Sequence, residues 1–361
     1  MRLRYGMNPH QRSATASPID PARPPFRLLN GEASYINVLD AAAAWQLVRE
    51  AATALGRPAA ASFKHVSPAG AATAGPIDAV MAETYRLDAP AVGAVTSAYV
   101  RARDADPKSS YGDFVAVSAP VDAELAELLR RVVSDGIVAP GYEPGVLAEL
   151  SAKKGGRFLV VEADPGFQPP PTETREVFGL RLTQPRDDVA LTRDLLARPG
   201  LPSSAVDDLL LGLIVVKYTQ SNSVAYLRDG MTLGIGAGQQ SRVDCTRLAG
   251  AKVDTWWLRR HPSLAGPDAG ARVQDRVTEQ LRRTAGLPDD ADRAGWLGRL
   301  DRVAFVSDGA LPFADNVEQA ALHGVRFIAE PGDSVRSADV LAECRRHGID
   351  LVHTGVRLFR H

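Results

Sequence analysis

Helix and strand signals alternate along most of this 361-residue chain, and this alternation restricts its fold more than any other feature. Short apolar runs have the length of buried strands, and longer stretches between them have the apolar spacing of helices. The pattern predicts a layered α/β fold. The predicted helices cover residues 36–55, 76–87, 92–103, 122–133, 144–154, 203–218, 239–247, much of 265–292, 313–323 and 337–347. The predicted strands cover a segment ending at 65 and residues 113–118, 137–139, 158–162, 177–184, 224–227, 232–236, 303–306, 325–329 and 351–353.

A proline-rich stretch over residues 164–174 is the best candidate for a domain boundary. It predicts a first α/β unit over residues 1–165 and a second over 166–361. Within the second unit, Ser203 or Ser204 is expected to cap a strongly apolar helix.

The composition excludes several classes of protein. The formal net charge is −1, so the chain has no overall basic field for nucleic acid or an anionic membrane. No apolar run approaches the ~20 residues of a membrane-spanning helix, and the N-terminus lacks an apolar signal core. Cys245 and Cys344 are too few for a disulfide framework or a cysteine-based zinc site. We therefore expect a cytoplasmic enzyme or binding protein.

Residues 60–70 read AASFKHVSPAG and place a lysine beside a histidine. Neighbouring side chains of a strand point to opposite faces, so Lys64 and His65 serve one site only if the strand ends or bends there. Pro68 and Gly70 are expected to supply that break. An imidazole is readily poised as a base near neutral pH, and an ammonium beside it stabilises developing negative charge. The alternative is a strand end whose two polar side chains face solvent.

Lysine is scarce in this chain, which favours the catalytic interpretation of Lys64. Of 42 lysine and arginine residues only six are lysine, so arginine serves wherever a generic cation suffices. A lysine at position 64 indicates that a compact ammonium is needed. The same argument applies to Lys217, which opens the sequence KYTQSNS.

Three polar segments of the second half are further candidates for a site. Residues 219–223 (TQSNS) form either a capping and turn cluster or a site with converging donors. Residues 234–242 (GIGAGQQSR) lie between a strand and a helix, where they form either a tight turn or an anion site. Asp308 and Asp315, which follow a predicted strand, either face a ligand or cap a helix.

Eight ordered motifs resemble those of the aminoimidazolecarboxamide ribonucleotide (AICAR) formyltransferase family. The resemblance covers residues 4–361 and is carried by RYGMNPHQ, SFKHVSPAG, SSYGDF, VSDGIVAPGY, KYTQSNS, GIGAGQQSR, DCTRLAG with WWLRRHP, and RLFRH. It implies two related cytidine-deaminase-like three-layer α/β units, a homodimer with shared active sites, and 10-formyltetrahydrofolate as the formyl donor.

The resemblance also bears on metals and on neighbouring activities. The His-x-Glu and Pro-Cys-x-x-Cys signature of zinc deaminases is missing here, so no zinc is expected. A structural potassium ion near residues 219–223 is left open. In the family this part usually accompanies an inosine monophosphate (IMP) cyclohydrolase domain, which we expect to be absent, so that a separate cyclohydrolase acts downstream.

The resemblance further implies roles for particular residues. His65 would be the general base, Lys64 would stabilise the transition state, and Asn222 would contact the substrate or the formyl group. The residues that would bind the ribonucleotide are Arg4, Tyr5, Gly112, Asp135, Arg357 and, at the wall of the substrate ring, Ala310. The residues that would bind the folate are Arg242, Val243, Asp315, Ser334 and Val335.

One segment departs from the family pattern. The family usually reads SDAFFPFRD where this chain reads SDGALPFAD over residues 307–315. Ala310 replaces an aromatic residue at the wall of the substrate ring, Leu311 replaces its neighbour, and Ala314 replaces an arginine. The chain is therefore an AICAR formyltransferase, a paralogue that formylates a related aminoheterocycle ribonucleotide in a specialised pathway, or a non-catalytic relic that binds the ribonucleotide.

Overall fold

The computed structural model describes residues 1–264, 272–288 and 290–361, and in these residues it contains 13 strands and 11 α-helices. The strands are β1 Phe26–Asn30, β2 Ala59–Lys64, β3 Ser67–Thr73, β4 Asp113–Val117, β5 Ser134–Ala139, β6 Leu159–Ala163, β7 Thr172–Val177, β8 Leu180–Pro185, β9 Val224–Arg228, β10 Met231–Gly236, β11 Val303–Ser307, β12 Val325–Glu330 and β13 Asp350–His353. The helices are α1 Tyr35–Leu55, α2 Ala79–Tyr85, α3 Ala94–Asp104, α4 Ala123–Arg131, α5 Val146–Ala152, α6 Ser203–Lys217, α7 Arg242–Leu258, α8 Val273–Ala285, α9 Ala291–Leu297, α10 Asp315–Ala321 and α11 Ser337–Arg346.

Eleven of the strands form one mixed sheet in the order β1–β6–β5–β4–β2–β3–β10–β9–β11–β12–β13. Strands β7 and β8 form a separate antiparallel hairpin. Strands β4, β5 and β6 are parallel to one another, as are β11, β12 and β13. Each parallel set lies beside an antiparallel hairpin, β2–β3 or β9–β10, and the two hairpins meet at the antiparallel pair β3 and β10.

The same topology therefore occurs twice. The first half has the spatial order β3–β2–β4–β5–β6, and the second half repeats it as β10–β9–β11–β12–β13. The helices repeat as well, because α1 and α6 precede the hairpins, α3 and α7 follow them, and α4 and α5 correspond to α10 and α11. This repetition agrees with two related units, although the sheet runs continuously through both and the boundary at residue 165 stays a prediction.

Two layers of helices enclose the sheet. Successive strand residues face opposite sides, so Val303 and Phe305 of β11 join one apolar core while Ala304 and Val306 join the other. The second core is completed by α1 and α6, and the first by α3, α4, α5, α7, α10 and α11. Both cores contain residues of both halves, and their burial holds the halves together.

The structure corrects the predicted break after Lys64. Pro68 and Gly70 do not end a strand but lie inside β3, opposite β2. The chain reverses instead at His65 and Val66, whose φ angles are 55° and 62°. A two-residue turn with both φ angles positive matches the right-handed twist of the strands, which is why it connects β2 and β3 so tightly.

Three other predictions of local structure are wrong. Residues 177–184 are not one strand but contain the end of β7, a turn and most of β8, because the chain reverses at Phe178–Gly179 with positive φ angles. Pro202, not Ser203 or Ser204, is the N-cap of α6, and no side chain caps that helix. Helix α7 extends to Leu258, well beyond the predicted end at residue 247, because its inward face packs on β10.

Of the polar stretch predicted to be helical over residues 265–292, positions 265–271 and 289 lie outside the described residues. In the remainder, α8 covers Val273–Ala285 and α9 begins at Ala291, and the described residues between them are not helical. None of the helices in the described part of the chain has the length and apolar character needed to cross a membrane.

Gly70 is expected to be essential for the close packing of α3 on β3. A Cβ atom at this position would lie 2.1 Å from the carbonyl oxygen of Ala102, which is backbone and cannot move aside. We expect Gly70→Ala to lower the free energy of unfolding by about 1–3 kcal/mol, as overpacking does. Urea denaturation measures this, and Gly141→Ala is the control because a Cβ there meets nothing within 4 Å. Equal effects of both substitutions would contradict the packing argument.

Candidate active site at one edge of the sheet

The strand registers bring most of the predicted site residues to one edge of the sheet. The end of β2 pairs with the start of β4 at Phe63 and Phe114. The start of β4 pairs with the start of β5 at Asp113 and Ser134. This edge of the first half therefore carries the His65–Val66 turn.

The second half contributes different strand ends to the same edge. Val224 at the start of β9 lies beside Gly236 at the end of β10 and beside Ser307 at the end of β11. Since β3 and β10 are antiparallel, the end of β10 lies on the same side of the sheet as the His65–Val66 turn. The ends of β12 and β13 follow, because both are parallel to β11.

The β2–β3 turn presents Lys64 and His65 together. His65 is exposed, and Lys64 is half-buried with its Nζ donating to the carbonyl oxygen of Tyr111 at 2.6 Å. The backbone N–H of Val66 donates to Oδ1 of Asp40, a buried residue of α1, at 2.7 Å. Burial raises the pKa of Asp40 to about 6. The turn thus exposes an imidazole next in sequence to a half-buried ammonium, and an imidazole is the side chain that most often serves as a general base.

A buried network fixes the strand that carries this turn. Asp113 forms an ion pair with Arg103 at 2.7 Å and accepts a hydrogen bond from Ser62 Oγ at 2.8 Å. Tyr99 Oη donates to the same carboxylate at 3.2 Å. Ser62 lies two residues before Lys64 on β2, so the network holds β2 against β4 directly beneath the turn.

Gly112 and Asp135 lie beside the turn at the starts of β4 and β5. Gly112 has a φ of 73°, and a Cβ there would come within 4.0 Å of Asp135 Oδ1. Asp135 is exposed and pairs with Lys154 Nζ at 2.5 Å. The neighbouring Lys153 is held by three oxygen acceptors, and burial lowers its pKa to about 8.

The N-terminal segment reaches the same region through α1. The Arg4 N–H donates to the carbonyl oxygen of Ala33, and the Tyr35 N–H donates to that of Tyr5. The Arg4 guanidinium donates to Tyr5 Oη at 2.9 Å. Tyr35 opens α1, and Asp40 follows roughly 7.5 Å along the helix axis. We call Arg4, Tyr5, Lys64, His65, Gly112 and Asp135 the turn cluster.

In the second half the polar segments converge on a buried ion pair. Arg242 Nη1 lies 2.5 Å from Asp308 Oδ1, and its Nη2 donates to Asn222 Oδ1 at 2.6 Å. Asp308 Oδ2 also accepts hydrogen bonds from Ser221 Oγ at 2.6 Å and from the Ser223 N–H at 2.9 Å. The carboxylate of Asp308 therefore neither caps a helix nor faces solvent. It ties residues 219–223 to the start of α7.

The C-terminal segment lies against this ion pair. The Leu358 N–H donates to the carbonyl oxygen of Asp308, and the exposed Arg357 guanidinium stacks 4.7 Å from the Phe359 ring. A Cβ at Gly309 would lie 2.5 Å from the Phe359 ring and 2.6 Å from Arg242 Nη2. Glycine at 309 therefore allows Phe359 to pack closely. We call Asn222, Arg242, Asp308 and Arg357 the buried-pair cluster.

The other residues that the resemblance assigns to folate lie at the start of α7, at the start of α10 and in the loop after β12. Val243 is half-buried in the first turn of α7, and Asp315 opens α10 without capping it, because the N-cap is Ala314. Ser334 and the fully exposed Val335 lie in the loop after β12. Glu330, buried at the end of β12, anchors that loop by accepting a hydrogen bond from the Gly332 N–H at 3.0 Å.

The two clusters lie apart along the sheet edge. Strands β2 and β9 are three strand spacings apart, or about 14 Å, and β5 and β11 are six spacings apart, or about 29 Å. Lys217, which the scarcity of lysine indicates as a candidate site residue, belongs to neither cluster. It is buried and pairs with Glu50 of α1 at 3.0 Å, which joins α6 to α1.

A separate cleft of about 510 Å³ opens where α1 faces residues 17–26 and the proline-rich stretch near residues 167–171. Its walls include Trp45, Arg49, Phe167 and residues 169–171. Its lining residues contain none of the residues predicted for the site, so the cleft is distinct from the sheet edge.

Three residues organise the site without a clear signal in the sequence. Local patterns do not single out Asp40 or Phe359, and they leave the role of Asp308 open. A carboxylate directly after a strand is a signal for Asp308, but its partners are far apart in sequence. Within the described residues no group of acidic, histidine or cysteine side chains has the arrangement of a metal site.

The fold and the site define a mixed α/β protein with an exposed imidazole–ammonium turn at one edge of a duplicated sheet. The family model described as AICARFT/IMPCHase bienzyme matches residues 1–252, and the chain belongs to this family.

Curated relatives extend the match to the rest of the chain. Two are named bifunctional purine biosynthesis protein PurH, from Ruegeria sp. (strain TM1040) and Cereibacter sphaeroides (strain ATCC 17029). Each is 32% identical over 365 residues, which cover 99% of this chain and 59% of the relative. The chain thus spans about three-fifths of the length of these relatives.

Proposed function

We propose that this protein is an AICAR formyltransferase of purine biosynthesis, which transfers the formyl group of 10-formyltetrahydrofolate to the exocyclic 5-amino group of AICAR and gives formyl-AICAR. The observation that carries the proposal is the exposed His65 beside Lys64 on a tightly held turn. Membership of the AICARFT/IMPCHase family supports it.

The residues of the turn suit this chemistry. The amine of AICAR is conjugated with a carboxamide and is a poor nucleophile, so its attack on the formyl carbon needs a base. His65 accepts the amine proton as the new carbon–nitrogen bond forms, which typically contributes ~10²–10⁴ in rate. The tetrahedral oxyanion is stabilised by Lys64 and the Asn222 amide. The bond from the formyl carbon to N10 of the folate then breaks, and N10 takes up a proton.

The proposed binding residues divide between the two clusters. Arg4, Tyr5, Gly112 and Asp135 would bind the ribonucleotide from the turn cluster, and Arg357 would add a guanidinium for its phosphate. Among the residues proposed for folate, Arg242 would mainly hold its neighbours in place, because its guanidinium already donates to Asp308 and Asn222. The other folate residues are Val243, Asp315, Ser334 and Val335.

We also propose a homodimer with shared active sites. A ribonucleotide held at β2 does not reach residues at β11 of the same copy, because four strand spacings, or about 19 Å, separate them. A second copy that brings its buried-pair cluster to the turn cluster would complete each site. Cytidine-deaminase-like units, a cytoplasmic location, a separate IMP cyclohydrolase downstream and a potassium ion near residues 219–223 remain parts of this proposal.

Ala310, which is half-buried at the position that the resemblance assigns to the wall of the substrate ring, favours a different acceptor as the second candidate. We expect Ala310→Phe to lower the dissociation constant for AICAR about fivefold, since an aromatic contact contributes about 1 kcal/mol beyond its buried area. Isothermal titration calorimetry measures this, with Phe313→Ala as the control for an exposed aromatic nearby. Unchanged affinity would mean that the ring binds elsewhere or that the acceptor differs.

The proposed activity is tested by incubating the protein with AICAR and 10-formyltetrahydrofolate while following tetrahydrofolate release and product mass. Accumulation of uncyclised formyl-AICAR supports the proposal. Turnover with another aminoheterocycle ribonucleotide but not with AICAR supports the paralogue. Binding of AICAR without any turnover supports the relic.

A further inference from the structure

The duplicated topology pairs each hairpin turn with a buried carboxylate. Asp40 is the sixth residue of α1 and Asp208 is the sixth residue of α6, and each helix precedes its hairpin. Asp40 accepts a hydrogen bond from the Val66 N–H of the β2–β3 turn. Asp208 accepts from the Asp229 and Gly230 N–H groups of the β9–β10 turn, at 3.0 and 2.6 Å.

The two turns have the same geometry but different sequences. His65 and Val66 have φ angles of 55° and 62°, and Asp229 and Gly230 have angles of 54° and 77°. Asp-Gly is a favoured pair for such a turn. A β-branched valine at positive φ is an outlier, and strained residues of this kind persist only where the surroundings hold them.

The turns also lie at opposite edges of the sheet. The β2–β3 turn lies at the edge that carries the candidate site, whereas β9 and β10 join at the end away from Val224 and Gly236. Asp208 therefore binds a turn outside the site, and the Asp-Gly sequence of that turn already favours its conformation. Asp40 binds the turn that exposes His65, and the His-Val sequence of this turn disfavours its conformation.

We propose that Asp40 is the positioning residue for His65: its hydrogen bond to the Val66 N–H holds the strained turn so that the imidazole faces the acceptor amine. This inference rests on the proposed function. Asp40 is 6% exposed and α1 packs on β2, β3 and β4, so the acceptor is fixed relative to both strands of the hairpin. Burial raises the pKa of Asp40 to about 6, and an uncharged side chain with the same oxygen also accepts this bond.

The test compares substitutions of Asp40 with the same substitutions of Asp208. Asp40→Ala is expected to lower kcat about 10–100-fold, because small misplacements of catalytic groups have effects of this size, with KM for both substrates within about twofold. Asp40→Asn keeps the acceptor oxygen and is expected to retain kcat within about threefold. Asp208→Ala removes two such bonds and is expected to leave kcat within about twofold.

A double substitution separates positioning from a general structural role. In a His65→Ala background, Asp40→Ala is expected to lower kcat by no more than about twofold further, because its effect acts through the imidazole. Independent, multiplicative losses would overturn the proposal, as would an unchanged kcat in Asp40→Ala. If Asp40→Ala does not fold, Asp40→Glu replaces it in the test. Full activity in Asp40→Glu together with a loss in Asp40→Asn would show that the charge matters and not the position of the acceptor oxygen, which would overturn the proposal.

We call the hydrogen bond from the Val66 N–H to Asp40 the clamp. Amide hydrogen exchange at Val66 tests it independently of turnover. Exchange is expected to be at least about tenfold faster in Asp40→Ala than in the wild type and in Asp40→Asn. A wild type that lacks formyl transfer but shows this exchange pattern would refute the proposed function and leave the clamp in place. Equal exchange in all three proteins would refute the clamp itself.

Discussion

Replacing His65 with alanine is expected to lower turnover by about 10²–10⁴-fold, the usual contribution of a general base. The side chain is exposed on a turn, so its removal opens no cavity and leaves the fold intact. The dissociation constant for the ribonucleotide is expected to stay within about threefold, since other residues, Arg4, Asp135 and Arg357, are proposed to bind it. Steady-state kinetics and calorimetry together measure the two quantities.

The matched control is His347→Ala. His347 follows α11 and pairs with Glu343 one helical turn away, so this substitution removes an imidazole that lies outside both clusters. Its turnover is expected to equal that of the wild type. Near-normal turnover in His65→Ala would remove this residue from the mechanism, and a large loss in the control would point to damage unrelated to the site.

Replacing Asp308 with alanine is expected to lower the free energy of unfolding by about 3–5 kcal/mol, because it leaves a buried guanidinium without its counter-ion. The side chains of Arg242 and Asp308 are 6% and 0% exposed. Ser221 and Ser223 lose their acceptor at the same time. The segment that carries Asn222 then loses its anchor to the Asp308 carboxylate, so we expect turnover to fall as well.

A surface ion pair of similar length provides the comparison. Asp301 and Arg326 lie 2.7 Å apart, but their side chains are 54% and 50% exposed. Solvent screens such a pair, so Asp301→Ala is expected to change the free energy of unfolding by less than about 1 kcal/mol. Chemical denaturation of both variants gives the difference, and similar losses would show that burial does not set the contribution of the Arg242–Asp308 pair.

The elements that were predicted well are those with strong local signals. The β9–β10 hairpin follows from Asp-Gly between two apolar runs, and α6 follows from a long apolar segment. The β2–β3 hairpin escaped prediction because His-Val is an unfavourable pair for its turn. Its conformation depends on Asp40, which lies 26 residues away in the chain.

The candidate site likewise combines features that local sequence patterns identify with features that depend on distant contacts. The Lys64–His65 pair, the TQSNS segment and the glycine-rich segment were all recognisable as motifs. Which of their side chains would be buried was not recognisable. Arg242 and Asp308, 66 residues apart, come together only because β10 and β11 flank β9 in the sheet.

The sequence by itself determined the α/β class, most helices and strands, the family resemblance and the residues that could carry chemistry, because these depend on local patterns of apolar, turn-forming and polar residues. The tertiary structure decided that both halves share one sheet, that the motifs fall into two clusters along one edge, and that Asp40 and Asp308 hold them. The physical reason is that strand order, register and burial arise from contacts between segments far apart in the chain, which local propensity does not encode.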